Sequence, residues 1–293
     1  MGTGSIASSL GRMTTLPAES YGVRELLAAW NDALHTVAEL GRRLSPEQWA
    51  APTECPGWTA GDVVRHLAWI ESFMSGRPQV EHEVDWSRFP HIESDFGRLT
   101  EAGVDVRRGQ AQQECCDELA SLADVRLGQV MALDPITLET EVMGVFGTPV
   151  PLDRMVRMRT FDTWTHEQDI RRAVQLPANL KTAGAQVAAL QMARTLGFML
   201  AKNVEAPPGT TIRLTVTGPV EFERYAAVTA DGKGADIDPV DEPTIGVTTD
   251  WETYARLTTG RLDTTDPAVL AKVELAGDPD LAARIRAALA ITP

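Results

Sequence analysis

Asp162 and His166 stand four residues apart in Arg159-Thr160-Phe161-Asp162-Thr163-Trp164-Thr165-His166. On a helix that spacing puts a carboxylate and an imidazole on one face, one turn apart, where both can reach a single cation. His66 lies in Val63-Val64-Arg65-His66-Leu67, and its apolar neighbours turn the ring towards a helical interior. A buried imidazole needs a partner, because an unsatisfied polar group costs on the order of 1–3 kcal/mol. If the two helices face each other, His66, Asp162 and His166 form a two-histidine, one-carboxylate set. Three protein ligands leave a coordination position for water or substrate, as in catalytic metal sites. The plainer alternative is a His66 bonded to an ordinary acceptor and a surface Asp162–His166 pair. Asp62, four residues before His66, is a competing ligand. It also lies third after Thr59, where a carboxylate caps a helix start.

Other residues carry weaker signals. Cys55, in Cys55-Pro56-Gly57-Trp58, reads either as a thiol near the site or as packing at a turn. Trp58, Trp69 and Trp164 either line a pocket or fill the core. Glu167, Asp169, Arg171 and Arg172 read as a charged helix face with local pairing, while His82 and His91 fall in an irregular segment that could reach a cleft mouth. No phosphate loop, dinucleotide fingerprint or serine nucleophile elbow is present.

The elements that would position these side chains follow from periodicity. Val23, Leu26, Leu27, Trp30, Leu34, Val37, Leu40 and Leu44 step by three or four, one stripe of a long helix that Gly41 mildly interrupts. Ser45-Pro46-Glu47-Gln48 reads as a capping box with proline in the first turn, and Thr59 starts the helix of His66. Residues 76–100 show no clear period and read as a long loop or broken helix. Helical pattern returns over about 101–133 and 152–175, giving four main helices of a bundle. Beyond Pro207-Pro208-Gly209 the code changes to alternation at Thr211–Val216 and around Phe222–Val228, with a short strand at Thr244–Val247. Helix starts follow at Asp250, Asp266-Pro267 and Asp278-Pro279. The chain therefore divides into a flexible leader (1–18), a helical bundle (19–178), a connecting helix (179–207) and a small α+β domain (208–293).

Composition narrows the partners. The 293 residues carry Lys+Arg 27 against Asp+Glu 41, a net charge of −14, which repels phosphate backbones and anionic lipid. No window approaches the roughly 18–20 uninterrupted apolar residues of a membrane helix. Three cysteines, two of them adjacent at Cys115 and Cys116, cannot form a disulfide framework, so a reducing cytoplasm is expected. Nucleic acid and membrane are not expected partners, and both monomer and homodimer stay open.

Thr53-Glu54-Cys55-Pro56-Gly57-Trp58-Thr59, then Asp62 and His66-Leu67, resembles a signature of the mycothiol-dependent maleylpyruvate isomerase family, within the wider DinB-like metalloprotein superfamily. So does Asp162-Thr163-Trp164-Thr165-His166-Glu167-Gln168-Asp169-Ile170-Arg171-Arg172-Ala173. The resemblance implies an α+β protein: a DinB-like four-helix bundle followed by a small domain resembling sterol-carrier folds. It implies zinc held by His66, Asp162 and His166, although the isomerase has glutamate where this chain has Asp162. The shorter side chain must bring metal and helix closer. It further implies mycothiol as thiol cosubstrate for cis–trans isomerisation or S-transfer on a small electrophile. Arg261, in Thr258-Thr259-Gly260-Arg261, is similar to a Gly-Arg of the family's C-terminal domain that faces the cleft; a solvated arginine is the other reading. A non-catalytic, metal-containing small-molecule binding or sensing protein is the alternative function.

Overall fold

Helix α1 (Val23–Arg43) buries the stripe its sequence lays out, with Leu26, Leu27, Trp30, Leu34, Val37 and Leu40 against its neighbours. Gly41 is part of the packing rather than a blemish: a Cβ there would sit 2.8 Å from Cys116 Sγ on the facing helix. The computed structural model describes residues 15–290. Residues 1–14 of the expected leader lie outside the described residues, and Pro17–Ser20 is a short 3-10 turn that buries Ala18.

Local chemistry sets the next elements. Ser45 and Gln48 close a capping box on the one-turn helix α2 (Pro46–Trp49), and Thr59 and Asp62 close another on α3 (Ala60–Met74). Between them, Cys55-Pro56-Gly57-Trp58 turns the chain, with Trp58 N donating to Cys55 O at 3.1 Å and Gly57 at φ 78°. That left-handed conformation favours glycine. The stretch expected to be irregular holds a 3-10 turn at Trp86–Arg88 and then α4 (Asp95–Asp105), whose start is capped by Ser94. The helical pattern expected over 101–133 is broken at residues 106–111 and resumes as α5 (Gln112–Met131). A hairpin that periodicity does not reveal follows: β1 (Glu141–Met143) pairs antiparallel with β2 (Pro149–Pro151). It leads directly into α6 (Leu152–Ala173). Helices α1, α3, α5 and α6 pack as the four-helix bundle, with α7 (Ala183–Ala193) against α1 and α6. The expected connecting helix is not continuous, since α7 ends at Ala193 and is followed by the short α8 (Leu196–Phe198) and a π-helical turn, Met199–Asn203.

The helical unit comprises Pro17–Ala193 together with Thr258–Arg261. The second unit is a small α+β fold with a five-stranded mixed sheet in the order β5-β4-β3-β6-β7. Its strands are β3 (Thr211–Thr217), β4 (Phe222–Val228), β5 (Gly234–Asp236), β6 (Ile245–Asp250) and β7 (Glu274–Gly277). β3 runs antiparallel to β4 and parallel to β6, while the short β5 and β7 edges were not legible in the alternation. Ile212, Leu214 and Val216 form the buried face of β3. Helices α9 (Trp251–Thr258), α10 (Pro267–Leu270) and α11 (Pro279–Ala288) begin where the aspartates predict, with Asp250, Asp266 and Asp278 each accepting from backbone amides. The fold class is thus α+β. No helix among the described residues is long and apolar enough to cross a membrane.

Candidate metal and thiol site

Helices α3 and α6 carry polar side chains inwards, so their buried groups must satisfy one another. His66 on α3 is 6% exposed and His166 on α6 is 7% exposed. His66 Nε2 lies 3.4 Å from Asp162 Oδ2, and His166 Nε2 lies 3.7 Å from Asp162 Oδ1. One ligand atom from each of the three residues falls within 4.8 Å of the others. A tetrahedral zinc ion with bonds of about 2.0–2.1 Å holds its ligand atoms about 3.3 Å apart, so this donor set fits a divalent metal in type and spacing. The expected facing of the two helices is therefore what brings the three residues together.

Charge states bear on the same reading in opposite ways at the two histidines. Burial pushes the His66 imidazole pKa down despite Asp162, leaving the neutral ring a metal requires. Burial alone would raise Asp162, but the Arg159 guanidinium and then His66 hold its carboxyl well below the ordinary value. Arg159 reaches Asp162 Oδ2 with Nη1 at 2.9 Å and the fully buried Glu71 with Nε at 2.8 Å. For His166, burial opposes the charged ring, yet the Asp169 hydrogen bond, Cys55 and Asp162 outweigh it and push the pKa up to about 10.

Behind His166 lies a network that sequence periodicity did not anticipate. His166 Nδ1 is 3.0 Å from Asp169 Oδ2, which leaves Nε2 turned to the metal-ligand set. Asp169 is 0% exposed and also accepts from Arg172 Nη2 at 2.8 Å and Arg261 Nη2 at 3.0 Å. The charged helix face expected at Glu167, Asp169, Arg171 and Arg172 keeps its local pairs, Arg172 with Asp169 included, but both acids are buried, and Glu167 takes Arg171 and Asn179. Helix α6 must bury polar chemistry on more than one side, which a single stripe cannot signal. Arg171 does keep the expected local pair with Glu167.

Cys55, His166 and Asp169 form a second set of potential ligands, but a cation already occupies it. Arg261 Nη2 sits 3.1 Å from Cys55 Sγ as well as beside Asp169, and Arg172 covers the other carboxylate oxygen. Arg261 clusters with the helical unit, not with the α+β unit where its sequence position put it. Asp62 is removed from the ligand candidates: it closes the α3 capping box and pairs with Arg65 and Arg108.

The three candidate ligands line a cavity of about 520 Å³, whose wall also includes Cys55, Trp58, Arg159, Thr165 and Arg261. Trp58 is the tryptophan at the site, its ring centroid 5.0 Å from His66 and its Nε1 donating to the buried Glu101 at 2.7 Å. Trp69 and Trp164 fill the core instead. His91 lines the cavity and is exposed, whereas His82 pairs with Asp105. Sequence reasoning gave no role to Arg159; its spacing of three from Asp162 was the available signal.

Comparison with known proteins adds the relatives. Residues 30–171 match the profile of a family described as "Mycothiol maleylpyruvate isomerase N-terminal domain". An uncharacterized protein of Mycobacterium tuberculosis, in strains CDC 1551 / Oshkosh and ATCC 25618 / H37Rv, is 24% identical over 184 residues, 60% of this chain. The aligned part spans 66% of that relative's length. The crystal structure of a histidine-to-alanine mutant of the mycothiol-dependent maleylpyruvate isomerase aligns with a TM-score of 0.54 at 12% identity, covering 90% of this chain and 96% of that one. Sterol Carrier Protein 2 Like 2 from Aedes aegypti aligns over 34% of this chain and 90% of its own, with a TM-score of 0.26 and 19% identity.

Proposed function

The helical unit of this chain belongs to the mycothiol maleylpyruvate isomerase N-terminal domain family, and from that premise we propose that the protein is a metal-dependent, thiol-using enzyme. Its reaction is cis–trans isomerisation of, or S-transfer to, a small electrophile, with mycothiol as the thiol and zinc as the ion. The observation that carries this reading is the convergence of His66, Asp162 and His166 on the wall of one cavity.

His66 Nε2, the Asp162 carboxylate and His166 Nε2 would hold the ion. A divalent cation there supplies Lewis acidity that keeps a thiol ionised near neutral pH. The protein's own residues do the rest. Asp169 receives the Nδ1–H of His166 and fixes which nitrogen faces inwards. Arg159 pins Asp162 against α3 and screens its charge from Glu71. Trp58 and the apolar wall exclude water, which strengthens every polar contact made inside. Arg261, bridging Cys55 and Asp169, is the catalytic cation proposed to face the electrophile. The free cysteines support a reducing, cytoplasmic location.

The test is incubation of zinc-loaded protein with mycothiol and a panel of electrophiles, followed by product analysis. Isomer or thioether formation that disappears in His66→Ala and His166→Ala is expected. Saturable binding of thiol and electrophile with no conversion would contradict the enzyme reading and favour a binding or sensing protein.

A further inference from the structure

Among the described residues two arginines line the cavity, and they differ in what they have left to donate. Arg261 has all three nitrogens engaged: Nε and Nη2 with Asp169, Nη2 also with Cys55, and Nη1 with the carbonyl of Thr259. Arg159 gives Nε to Glu71 Oε1 at 2.8 Å and Nη1 to Asp162 Oδ2 at 2.9 Å. Its Nη2 is buried and meets no acceptor among the described residues. The residue is only 5% exposed, and a buried charged donor without an acceptor is strongly disfavoured.

The charges around Arg159 say what kind of acceptor is missing. Glu71, fully buried on α3, is shared: Arg159 bonds one oxygen, and Arg126 Nε approaches the other at 3.5 Å without a hydrogen bond. Two guanidinium groups thus face the carboxylates of Glu71 and Asp162, a balance that holds only while Asp162 serves nothing else. A divalent ion held by His66, Asp162 and His166 adds its own charge to that count and tips the cluster positive. An anion on Arg159 restores the balance, and a carboxylate suits the planar guanidinium fork. Because Nη1 already bonds Asp162, an acid docked on Nη2 lies beside the candidate metal ligands. Thr100 Oγ1 and Thr165 Oγ1, also buried on the cavity wall without partners, offer neutral donors to the rest of the molecule.

We propose that Arg159 is the residue that receives a carboxylate of the electrophile, through Nη2, and that it makes the cavity prefer acids to their neutral analogues. The assignment rests on the function proposed above and names the group that docks the substrate there.

Binding without thiol tests this on the zinc-loaded full chain. The probes are succinate, a saturated dicarboxylate with no alkene for a thiolate to attack, and succinamide, its neutral diamide. Calorimetric titration of the parent should give a Kd for succinate at least about tenfold below that for succinamide. Arg159→Gln should weaken succinate about ten- to a hundredfold and leave succinamide within about threefold. That variant keeps Arg126 beside Glu71, and its zinc content is matched to the parent's by elemental analysis before titration. The parent alone supplies a second readout: crystals of the zinc-loaded chain soaked in succinate should place a carboxylate oxygen about 2.7–2.9 Å from Arg159 Nη2. A succinate Kd unmoved by Arg159→Gln, equal weakening of both probes, or succinate held by the ion alone with Nη2 unfilled overturns the assignment. Because no thiol and no turnover enter the assay, the two readings fail separately. Succinate binding that depends on Arg159, with no thiol chemistry on any electrophile, sinks the enzyme and keeps the docking residue. Thiol turnover with succinate binding indifferent to Arg159 does the reverse.

Discussion

Replacing Asp169 with asparagine removes one charge while keeping shape and an accepting oxygen. The carboxylate is fully buried, receives His166 Nδ1 at 3.0 Å, and neutralises Arg172 and Arg261. Two separate losses follow. Loss of a carboxylate behind a metal-ligating histidine weakens metal binding about 10–100-fold, or about 1.4–2.8 kcal/mol. Removing one partner of a buried ion pair costs about 3–5 kcal/mol, and the amide's residual hydrogen bonds put Asp169→Asn near 3 kcal/mol. At roughly 2–4 °C per kcal/mol for a unit of this size, the metal-free protein should melt about 6–12 °C lower. Competition titration with a chelating dye reads the first loss and a thermal melt reads the second. Zinc affinity within about threefold of the parent, with a melting shift below about 2 °C, would refute the role assigned to Asp169.

Further outcomes follow from the same geometry. Asp162→Ala should lose stoichiometric metal, and Asp162→Glu should retain it, as read by elemental analysis of purified protein. Raising the folded-state pKa of His166 to about 10 stabilises the metal-free fold at low pH. That contribution is complete below the unfolded histidine pKa of about 6.5 and is lost as pH rises through about 10, so the metal-free melting temperature should fall over that window. Zinc must displace the same proton, so its apparent affinity should climb about tenfold per pH unit between roughly 7 and 9; a flat profile would count against His166 as a ligand. Gly41→Ala places a Cβ 2.8 Å from Cys116 Sγ and should destabilise the bundle by about 1–3 kcal/mol in denaturant unfolding.

The bundle was legible because its helices announce themselves twice, through apolar spacing in α1 and through the capping boxes at Ser45 and Thr59. The aspartate caps of α9, α10 and α11 were legible for the same local reason. His66, Asp162 and His166 could be proposed from spacing, but their meeting depends on α3 facing α6, a tertiary fact for which the family resemblance supplied the argument. What stayed hidden was non-local. Asp169 looks like a surface acid until Arg172, Arg261 and Cys55 are folded around it, and these come from positions as far as 114 residues away in sequence. The β1–β2 hairpin has strands of three residues, too short for alternation to register, yet its turn carries Val145 and Phe146 to the cavity.

The most direct test is an anomalous-diffraction map from crystals of the full chain soaked in zinc. A single strong peak about 2.0–2.2 Å from His66 Nε2, an Asp162 oxygen and His166 Nε2 is the predicted result. A peak beside Cys55 and Asp169 with Arg261 displaced, or none between α3 and α6, would contradict it.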